Sequence, residues 1–328
     1  MLIRKYERGD EAGIITLFRK VFGKELPLKV WQWKYSDESE ARESKIFVAV
    51  ENETVVGHVA VLIFPARYNN KNINVALRID TMVDPEYRGR GLYQRLTNML
   101  LKDVKEHRKD ISFLYGLPAE KAKNVLVKST GAEHLGDLTR KIKVNLIKKN
   151  NFTYHFSNRG EVLEEIHWFD DRFDQFEQEK EDPEAVTLRK NHHFLNWRYM
   201  INPSNEYKIF AISEFGRIKG YVVLKMEVKK IFNKRVFVGF IVDWNVLKNE
   251  DTYTFEKLLN ITESYLKQAL FIQIWEPANP TLNNVLKKHL YINKRETINP
   301  LVVHSNNDNT AGMNFSDWGV KMGDVDSF

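Results

Sequence analysis

Apolar residues follow two periodicities along the chain, and together they predict an α/β protein of the α+β kind. Residues 76–83 are mostly apolar and predict a long strand. Leu92, Leu96, Met99 and Leu100 then recur at i, i+4, i+7 and i+8, which predicts an amphipathic helix with one buried face. In each half the predicted order is helices, a hairpin, a long strand, a helix, a strand, a helix and a closing hairpin. That order is typical of a mixed, largely antiparallel sheet flanked by helices.

The second half of the chain repeats the first, which predicts two domains of one fold. The matched positions are Trp33-Lys34-Tyr35 with Trp197-Arg198-Tyr199, Gly57 with Gly220, Asp80 with Asp243, and Pro118 with Pro277. The aspartates are offset by 243 − 80 = 163 residues and the prolines by 277 − 118 = 159, so the second copy is four residues shorter in between. Repeats this long indicate domain duplication. We therefore predict domains at residues 1–150 and 151–328, joined near 148–160, where polar turn formers interrupt the apolar pattern.

The junction between the predicted strand and helix of the first half has the features of a phosphate cradle. Gly89 and Gly91 allow the backbone to approach an anion closely, and the first N–H groups of the helix point at it. Arg88 and Arg90 add positive charge. A Walker A loop would need Lys-Ser or Lys-Thr after the second glycine, and a dinucleotide fingerprint would need a third glycine at position 94, which is Gln.

The four-residue deletion in the second half falls on this cradle. Lys248-Asn249-Glu250-Asp251 stands where the first half has its arginines and glycines, and an acidic loop repels phosphate. Only the first half is therefore expected to bind a phosphate ligand.

Arg88-Gly89-Arg90-Gly91-Leu92 resembles the Arg/Gln-x-x-Gly-x-Gly/Ala signature of the GCN5-related N-acetyltransferase (GNAT) superfamily, with Tyr93 at the sixth position in place of Gly or Ala. In that superfamily the strand, loop and helix bind the pyrophosphate of coenzyme A. The resemblance implies two tandem GNAT-like domains, the first binding acetyl-CoA. The residues that it implies for coenzyme A are Thr81, Met82, Val83, Arg88, Gly89, Arg90, Gly91, Leu92, Tyr93, Gln94 and Asn124, the last against the pantetheine arm.

The catalytic groups are less clearly marked by the resemblance. Family members commonly carry a carboxylate base on the central strand, which is Asp80 here, although its repeat partner Asp243 leaves a structural role open. The family's usual tyrosine acid would fall at Val127, so Tyr93 and Tyr115 are the substitutes, with packing as the alternative for both. In some tandem members the terminal carboxylate acts as the base, which would be that of Phe328; a simply packed terminus is the other interpretation.

Charge and composition narrow the classes of partner. Residues 1–150 hold 28 Lys and Arg against 19 Asp and Glu, a net +9, which leaves 22 against 25, a net −3, for the rest. A basic first half suits a ligand with several phosphates. Nucleic acid is not expected, because the basic residues are scattered and no nucleic-acid-binding motif is present. The chain has no cysteine and its histidines show no ligand spacing, so no disulfide or metal site is expected.

Residues 161–184 are rich in acidic and aromatic residues. Apolar positions 166, 169, 173 and 176 have helical spacing and predict the first amphipathic helix of the second domain with a solvated acidic face. The alternative is that Asp170, Asp171 and Asp174 help to attract an amine-bearing acceptor.

The function implied by the resemblance is transfer of an acetyl group from acetyl-CoA to a primary amine of a small molecule, an amino sugar or a peptide. The chain shows neither a signal-peptide core nor a membrane-length apolar run, so we expect a cytoplasmic monomer or homodimer that acts without a membrane. Two other functions stay open. One is a Fem-like aminoacyl transferase, whose family loses the pyrophosphate loop, and the other is a non-catalytic acyl-CoA-binding or sensor protein.

Overall fold

The computed structural model describes residues 1–36, 39–145, 160–180, 185–248, 251–294, 299–306 and 313–325. The helices are α1 Glu11–Phe22, α2 Leu28–Tyr35, α3 Leu92–His107, α4 Glu120–Thr130, α5 Arg172–Glu179, α6 His192–Leu195, α7 Thr252–Tyr265 and α8 Pro280–Lys288. The strands are β1 Leu2–Lys5, β2 Glu43–Glu51, β3 Thr54–Tyr68, β4 Lys71–Val83, β5 Ile111–Gly116, β6 Glu133–Asp137, β7 Arg140–Val144, β8 Glu161–Glu165, β9 Thr187–Leu188, β10 Lys208–Glu214, β11 Arg217–Ile231, β12 Lys234–Val246, β13 Phe271–Trp275, β14 Ile292–Asn293 and β15 Pro300–Ser305.

The chain divides into two compact units, and neither is a continuous stretch of sequence. Unit 1 comprises residues 1–137, 202–204 and 299–315, and unit 2 comprises residues 138–201, 205–298 and 316–328. The predicted boundary at 150/151 lies in a segment outside the described residues. The main difference from the predicted division is that residues 138–145 belong to unit 2 and residues 299–306 belong to unit 1.

Each unit contains one sheet, and the two sheets have the same strand pattern. In unit 1 the order is β1-β2-β3-β4-β5-β15-β6, and in unit 2 it is β8-β10-β11-β12-β13-β7-β14. In both, the fourth and fifth strands pair in parallel and the other neighbours pair antiparallel. The prediction of two mixed, largely antiparallel sheets flanked by helices is confirmed. The sixth strand of each sheet comes from the other half of the chain: β7 of sheet 2 precedes the other strands of that sheet in sequence, and β15 of sheet 1 follows all the other strands of its sheet.

The repeated glycines mark where a helix packs closely on each sheet. A Cβ at Gly57 would lie 2.7 Å from Leu96 of α3, and a Cβ at Gly220 would lie 2.8 Å from Thr254 of α7. Leu92, Leu96 and Leu100 of α3 are buried against sheet 1 as predicted, but Met99 is 38% exposed. A spacing of seven residues turns the helix by about 700°, some 20° short of two full turns, so Met99 falls at the edge of the stripe.

Residues 161–184 differ from the predicted single helix. Residues Glu161–Glu165 form β8 at the edge of sheet 2, and the helix α5 is shorter than predicted. Phe169, Phe173 and Phe176 are nevertheless buried, as their spacing indicated. Two of the three named aspartates have partners within unit 2: Asp170 lies 3.0 Å from Arg172, and Asp174 lies 2.7 Å from His192.

Candidate functional site

The strand-loop-helix of unit 1 has the geometry of an anion cradle. After β4 ends, Asp84 accepts a hydrogen bond from the backbone N–H of Glu86 at 3.0 Å and begins a short 3-10 turn. Gly89 and Gly91 then adopt φ values of 76° and 70°, the left-handed conformation that favours glycine. A Cβ added at either glycine would meet no atom within 4 Å, so the surface beside them is open.

Helix α3 begins directly at the second of these glycines. Gly91 is its N-cap residue and no side chain caps it, so the first-turn N–H groups are available to an outside acceptor. Arg88 and Arg90 are exposed beside them, and the Nε of Arg88 donates to the carbonyl of Val83 at 3.3 Å. The loop therefore offers backbone donors, a helix dipole and two cations to one anion.

The other residues implied for coenzyme A divide between this loop and the sheet. Leu92, Met82 and Val83 are buried, and so serve the site through their backbone or by packing. Gln94 donates to the carbonyl of Ser129 at 3.1 Å, which ties α3 to α4.

The end of β4 is open on the side where the next strand would pair. Pairing between β4 and β5 stops at Leu77 with Tyr115, whereas β4 continues to Val83. The Oγ1 of Thr81 is buried there and has no hydrogen-bond partner among the described residues. Asn124 is exposed on α4.

Asp80, the predicted base, lies in a β-bulge of β4 with a φ of 44°. Its Oδ2 is 3.0 Å from the Nζ of Lys34 and accepts a hydrogen bond from the Tyr35 hydroxyl at 2.7 Å. Burial alone would raise the pKa of Asp80, but the Lys34 charge and the Tyr35 hydrogen bond outweigh it and hold that pKa below its usual value. The carboxylate is therefore a charged member of a buried ion pair.

The repeat partner Asp243 has the same surroundings in unit 2. Its Oδ2 accepts from Tyr199 at 2.8 Å and lies 2.8 Å from the Nζ of Lys190. Tyr199 corresponds to Tyr35, while the lysine comes from a different position in the sequence. An aspartate held by a lysine and a tyrosine is thus common to both copies, which favours a structural role for it.

The predicted acids lie in different environments. Tyr115 is buried in β5. Tyr93 is half-buried on α3 and hydrogen-bonds Arg78; burial raises its pKa, partly offset by that guanidinium. Phe328 lies outside the described residues.

Sequence reasoning missed two side chains of this site, Arg78 on β4 and His304 on β15. The Nη2 of Arg78 lies 3.4 Å from the Nδ1 of His304, and its Nη1 is buried without a hydrogen-bond partner among the described residues. A charged residue within an apolar strand was the signal for Arg78. Nothing local indicated His304, because β15 joins unit 1 from the far end of the chain.

Unit 2 lacks the glycine cradle but has a cavity at the equivalent end of its sheet. Pairing of β12 with β13 stops at Ile241 with Ile274. Beyond that point lies a cavity of about 530 Å³, whose lining includes Trp244, Asn245, Trp275, Leu282, Lys321 and Asp324. Its volume is that of a small-molecule site.

Lys321 is the most unusual group in that lining. Its ammonium donates to Asn245 Oδ1 at 2.7 Å and to the carbonyl of Trp244. Burial and the nearby Lys190 charge lower the pKa of Lys321 to about 7, against the opposing pull of Asp243 and Asp324.

The described residues contain no group of three or more His, Asp and Glu that could hold a metal ion. None of the described helices is long and apolar enough to cross a membrane.

Comparison with known proteins agrees with the fold. The family model of the acetyltransferase (GNAT) domain matches residues 2–122. Among solved structures, an Enterococcus faecalis V583 protein described as "Probable N-Acyltransferase" is similar, with a TM-score of 0.70, 14% identity, and 93% of this chain and 72% of that chain covered. A GCN5-related N-acetyltransferase from Anabaena variabilis has a TM-score of 0.68 and 14% identity, with 93% and 73% covered. A tandem GNAT protein from the clavulanic acid biosynthesis pathway has a TM-score of 0.60 and 12% identity, with 93% and 98% covered. Curated protein sequences give no match.

The fold is thus an α/β fold built from two copies of one domain. Residues 2–122 match the GNAT-domain family model, and the chain is similar in fold to a solved tandem GNAT protein, as the resemblance in the sequence predicted.

Proposed function

We propose that this protein is an acetyl-CoA-dependent N-acyltransferase whose donor site is the cradle of unit 1. One observation carries the proposal: two left-handed glycines open the N-terminus of α3 beside an unpaired end of β4. Together these suit a ligand with a pyrophosphate at one end and an amide-bearing arm. Acetyl-CoA, when bound, supplies the thioester whose acetyl group is transferred.

The residues of unit 1 would divide the work as follows. The backbone of Gly89 and Gly91 and the first turn of α3 would bind the phosphates, aided by Arg88 and Arg90. The free end of β4 at Thr81 would orient the arm through backbone and hydroxyl hydrogen bonds. Transfer requires loss of a proton from the acceptor amine and stabilisation of the oxyanion. The acceptor would be a primary amine of a small molecule, an amino sugar or a peptide. We also propose that the protein is a cytoplasmic monomer or homodimer that acts without nucleic acid or a membrane.

Calorimetric titration with acetyl-CoA tests the donor site. We expect a stoichiometry of one per chain, and we expect Gly91→Asp to abolish binding because it places a carboxylate in the cradle. Gly23→Asp is the matched control, since Gly23 also has a positive φ, 64°, and open space beside it, but lies at the C-terminus of α1. Equal losses in both variants, or two equivalent sites per chain, would contradict the assignment.

The ion pairing of Asp80 with Lys34 favours a second candidate, a protein that binds acyl-CoA without turning it over. Release of free thiol from acetyl-CoA with a panel of primary amines separates the two. Tight binding with no amine-dependent thiol release would support the binding protein.

A further inference from the structure

Arg78 is a cation inside unit 1 with no counter-charge among the residues that the structure describes. Its contacts in the structure are the Nδ1 of His304, 3.4 Å from Nη2, and the hydroxyl of Tyr93. No carboxylate of the described residues forms an ion pair with it, and its buried Nη1 has no hydrogen-bond partner there. Arginine keeps its proton in proteins, so burial cannot remove this charge.

The groups around Arg78 are neutral. Burial, followed by the Arg78 charge, lowers the pKa of His304 to about 4. The Nε2 of His304 lies 2.9 Å from the Oγ1 of Thr130 and 3.2 Å from its carbonyl oxygen. This arrangement suits the tautomer that donates from Nε2 to Thr130 and accepts from Arg78 at Nδ1. Tyr93, whose pKa is raised, stays a neutral phenol.

Arg78 also sits at the right place for a bound donor. It follows Leu77, the last residue of β4 that pairs with β5, and so stands where the two strands part. Tyr93 connects it to the first turn of α3, next to the cradle glycines. On the β5 side, Gly116 has no side chain beside Arg78; a Cβ at this position would lie 3.4 Å from the Cβ of Arg78.

We propose that Arg78, oriented by His304 and Tyr93, is an anion-binding residue of the donor site and holds an oxyanion of the bound coenzyme A thioester. The oxyanion is either a phosphate oxygen of the nucleotide or a carboxylate carried by the acyl group. A guanidinium with unused N–H donors binds both kinds of oxygen in the same forked geometry. This inference rests on the proposed function, because it takes the cradle of unit 1 as the donor site.

The test is calorimetric titration of wild type, Arg78→Met and Arg19→Met with four ligands. Arg19 is a control because its side chain is 62% exposed on α1, away from the cradle loop in sequence. The ligands are coenzyme A, S-(3-carboxypropyl)-CoA, its neutral counterpart of similar shape S-(4-methylpentyl)-CoA, and inorganic pyrophosphate. We expect Arg78→Met to raise the Kd of at least one of these ligands about tenfold or more, and Arg19→Met to leave all four Kd values unchanged.

The pattern of losses identifies the oxyanion. A loss shared by all three coenzyme A compounds supports a phosphate, whereas a loss confined to the carboxypropyl compound supports an acyl carboxylate. Unchanged Kd values for all ligands in Arg78→Met would overturn the proposal. If wild type binds no coenzyme A compound, the proposed function fails. Binding of pyrophosphate that depends on Arg78 would then still support an anion site at Arg78. If pyrophosphate does not bind either, the proposed function and the anion site at Arg78 are both overturned.

Stability controls keep the result interpretable. Removing an unneutralised cation should leave the Tm of Arg78→Met equal to or above that of wild type. If that variant does not fold, Arg78→Lys replaces it, since a lysine keeps the charge but loses the planar fork. It should bind the relevant compound severalfold more weakly than wild type, and wild-type affinity in Arg78→Lys would contradict a forked contact.

Discussion

At the scale of single residues, the charge of Asp80 is tied to folding. Asp80→Asn leaves the Lys34 ammonium buried without its carboxylate, which typically costs about 3 kcal/mol or more. We expect a matching fall in the free energy of unfolding, measured with urea, and a similar fall for Asp243→Asn, which loses the partner of Lys190. If Asp80→Asn is as stable as wild type but loses turnover about 10²-fold or more, Asp80 is the base instead.

The pKa of Asp80 gives this ion pair a pH dependence. Since the pKa is lowered on folding, the unfolded chain binds more protons in acid than the native chain does. The stabilisation is therefore complete above the unfolded pKa of about 4 and is lost as the pH falls through the lower native value.

Lys321 should show a dependence of the same sign, but at neutral to alkaline pH. Its native pKa is about 7, so between about pH 7 and 10 the unfolded chain carries a proton that the native chain lacks. The free energy of unfolding should therefore rise with pH over that range relative to that of Lys321→Met, because a methionine at position 321 takes up no proton on unfolding. The charges that face Lys321 are those of Lys180, Lys190, Asp243 and Asp324.

Urea midpoints at pH 6.5 and pH 9 measure this difference. Lys102→Met is the control, because the Lys102 side chain is 70% exposed. A difference between wild type and Lys321→Met that does not change with pH would mean that Lys321 stays protonated in the native state.

Residue types with a local backbone role were predictable from the sequence, and those defined by tertiary contacts were not. Gly89 and Gly91 have the positive φ that their place before a helix suggested. The buried setting of Arg78 depends on β15, and that of Lys321 depends on β12, which no local pattern connects to them.

At the scale of elements, Gly57 and Gly220 set the distance between a helix and its sheet. A Cβ at Gly57 meets side chains, Leu96 at 2.7 Å and Ala49 at 3.2 Å, whereas a Cβ at Gly220 also meets the backbone oxygen of Asn245 at 2.9 Å. Side chains can shift more easily than a strand backbone. We therefore expect Gly57→Ala to cost about 1 kcal/mol and Gly220→Ala about 2 to 3 kcal/mol, within the range for overpacking.

Urea unfolding of the two variants checks this order. Gly23→Ala is unsuitable as a control because of its positive φ, but Lys102→Ala on the exposed face of α3 reports the effect of an ordinary surface change. A larger loss for Gly57→Ala than for Gly220→Ala would show that the side chains of α3 cannot adjust.

The elements with long periodic patterns were predicted well, and the short ones were not. Strand β4 ends at Val83 as predicted, and helix α3 begins directly after Gly91, because a proline and a glycine mark these boundaries. Strand β4 begins at Lys71, five residues before the predicted start at residue 76. Strand β8 lies in the region predicted to be helical, because its sequence Glu-Val-Leu-Glu-Glu lacks the alternation of apolar and polar residues that indicates a strand.

At the scale of the whole molecule, the exchange of β7 and β15 predicts that a cut at the middle of the sequence does not give a complete domain. In unit 1, β15 pairs with both β5 and β6, and Leu301, Val302 and Val303 are buried. A fragment of residues 1–150 lacks that strand and keeps β7, which pairs in sheet 2. Strand pairing between distant segments leaves no local signal, so the sequence repeat revealed the two folds but not their exchanged strands.

The register of β15 suggests how to build unit 1 as one continuous chain. Pro300 lies opposite Asp137, the last residue of β6, in an antiparallel pair. A two-residue Asn-Gly turn can therefore join residue 137 to residue 300 as a hairpin. We expect the joined chain, residues 1–137 and 300–315, to fold and bind acetyl-CoA, and residues 1–150 to remain largely unfolded because the edge of β5 is left open.

Circular dichroism with thermal melting, followed by calorimetry, compares the two chains. The joined chain also restores His304 beside Arg78, so its affinity for acetyl-CoA should match that of the full protein within about threefold if unit 1 alone forms the donor site. If residues 1–150 melt cooperatively and bind as tightly, β15 is dispensable and the predicted boundary near 150 describes a real domain. If the joined chain folds but does not bind, the donor site needs groups from unit 2, and the cradle would be only part of it.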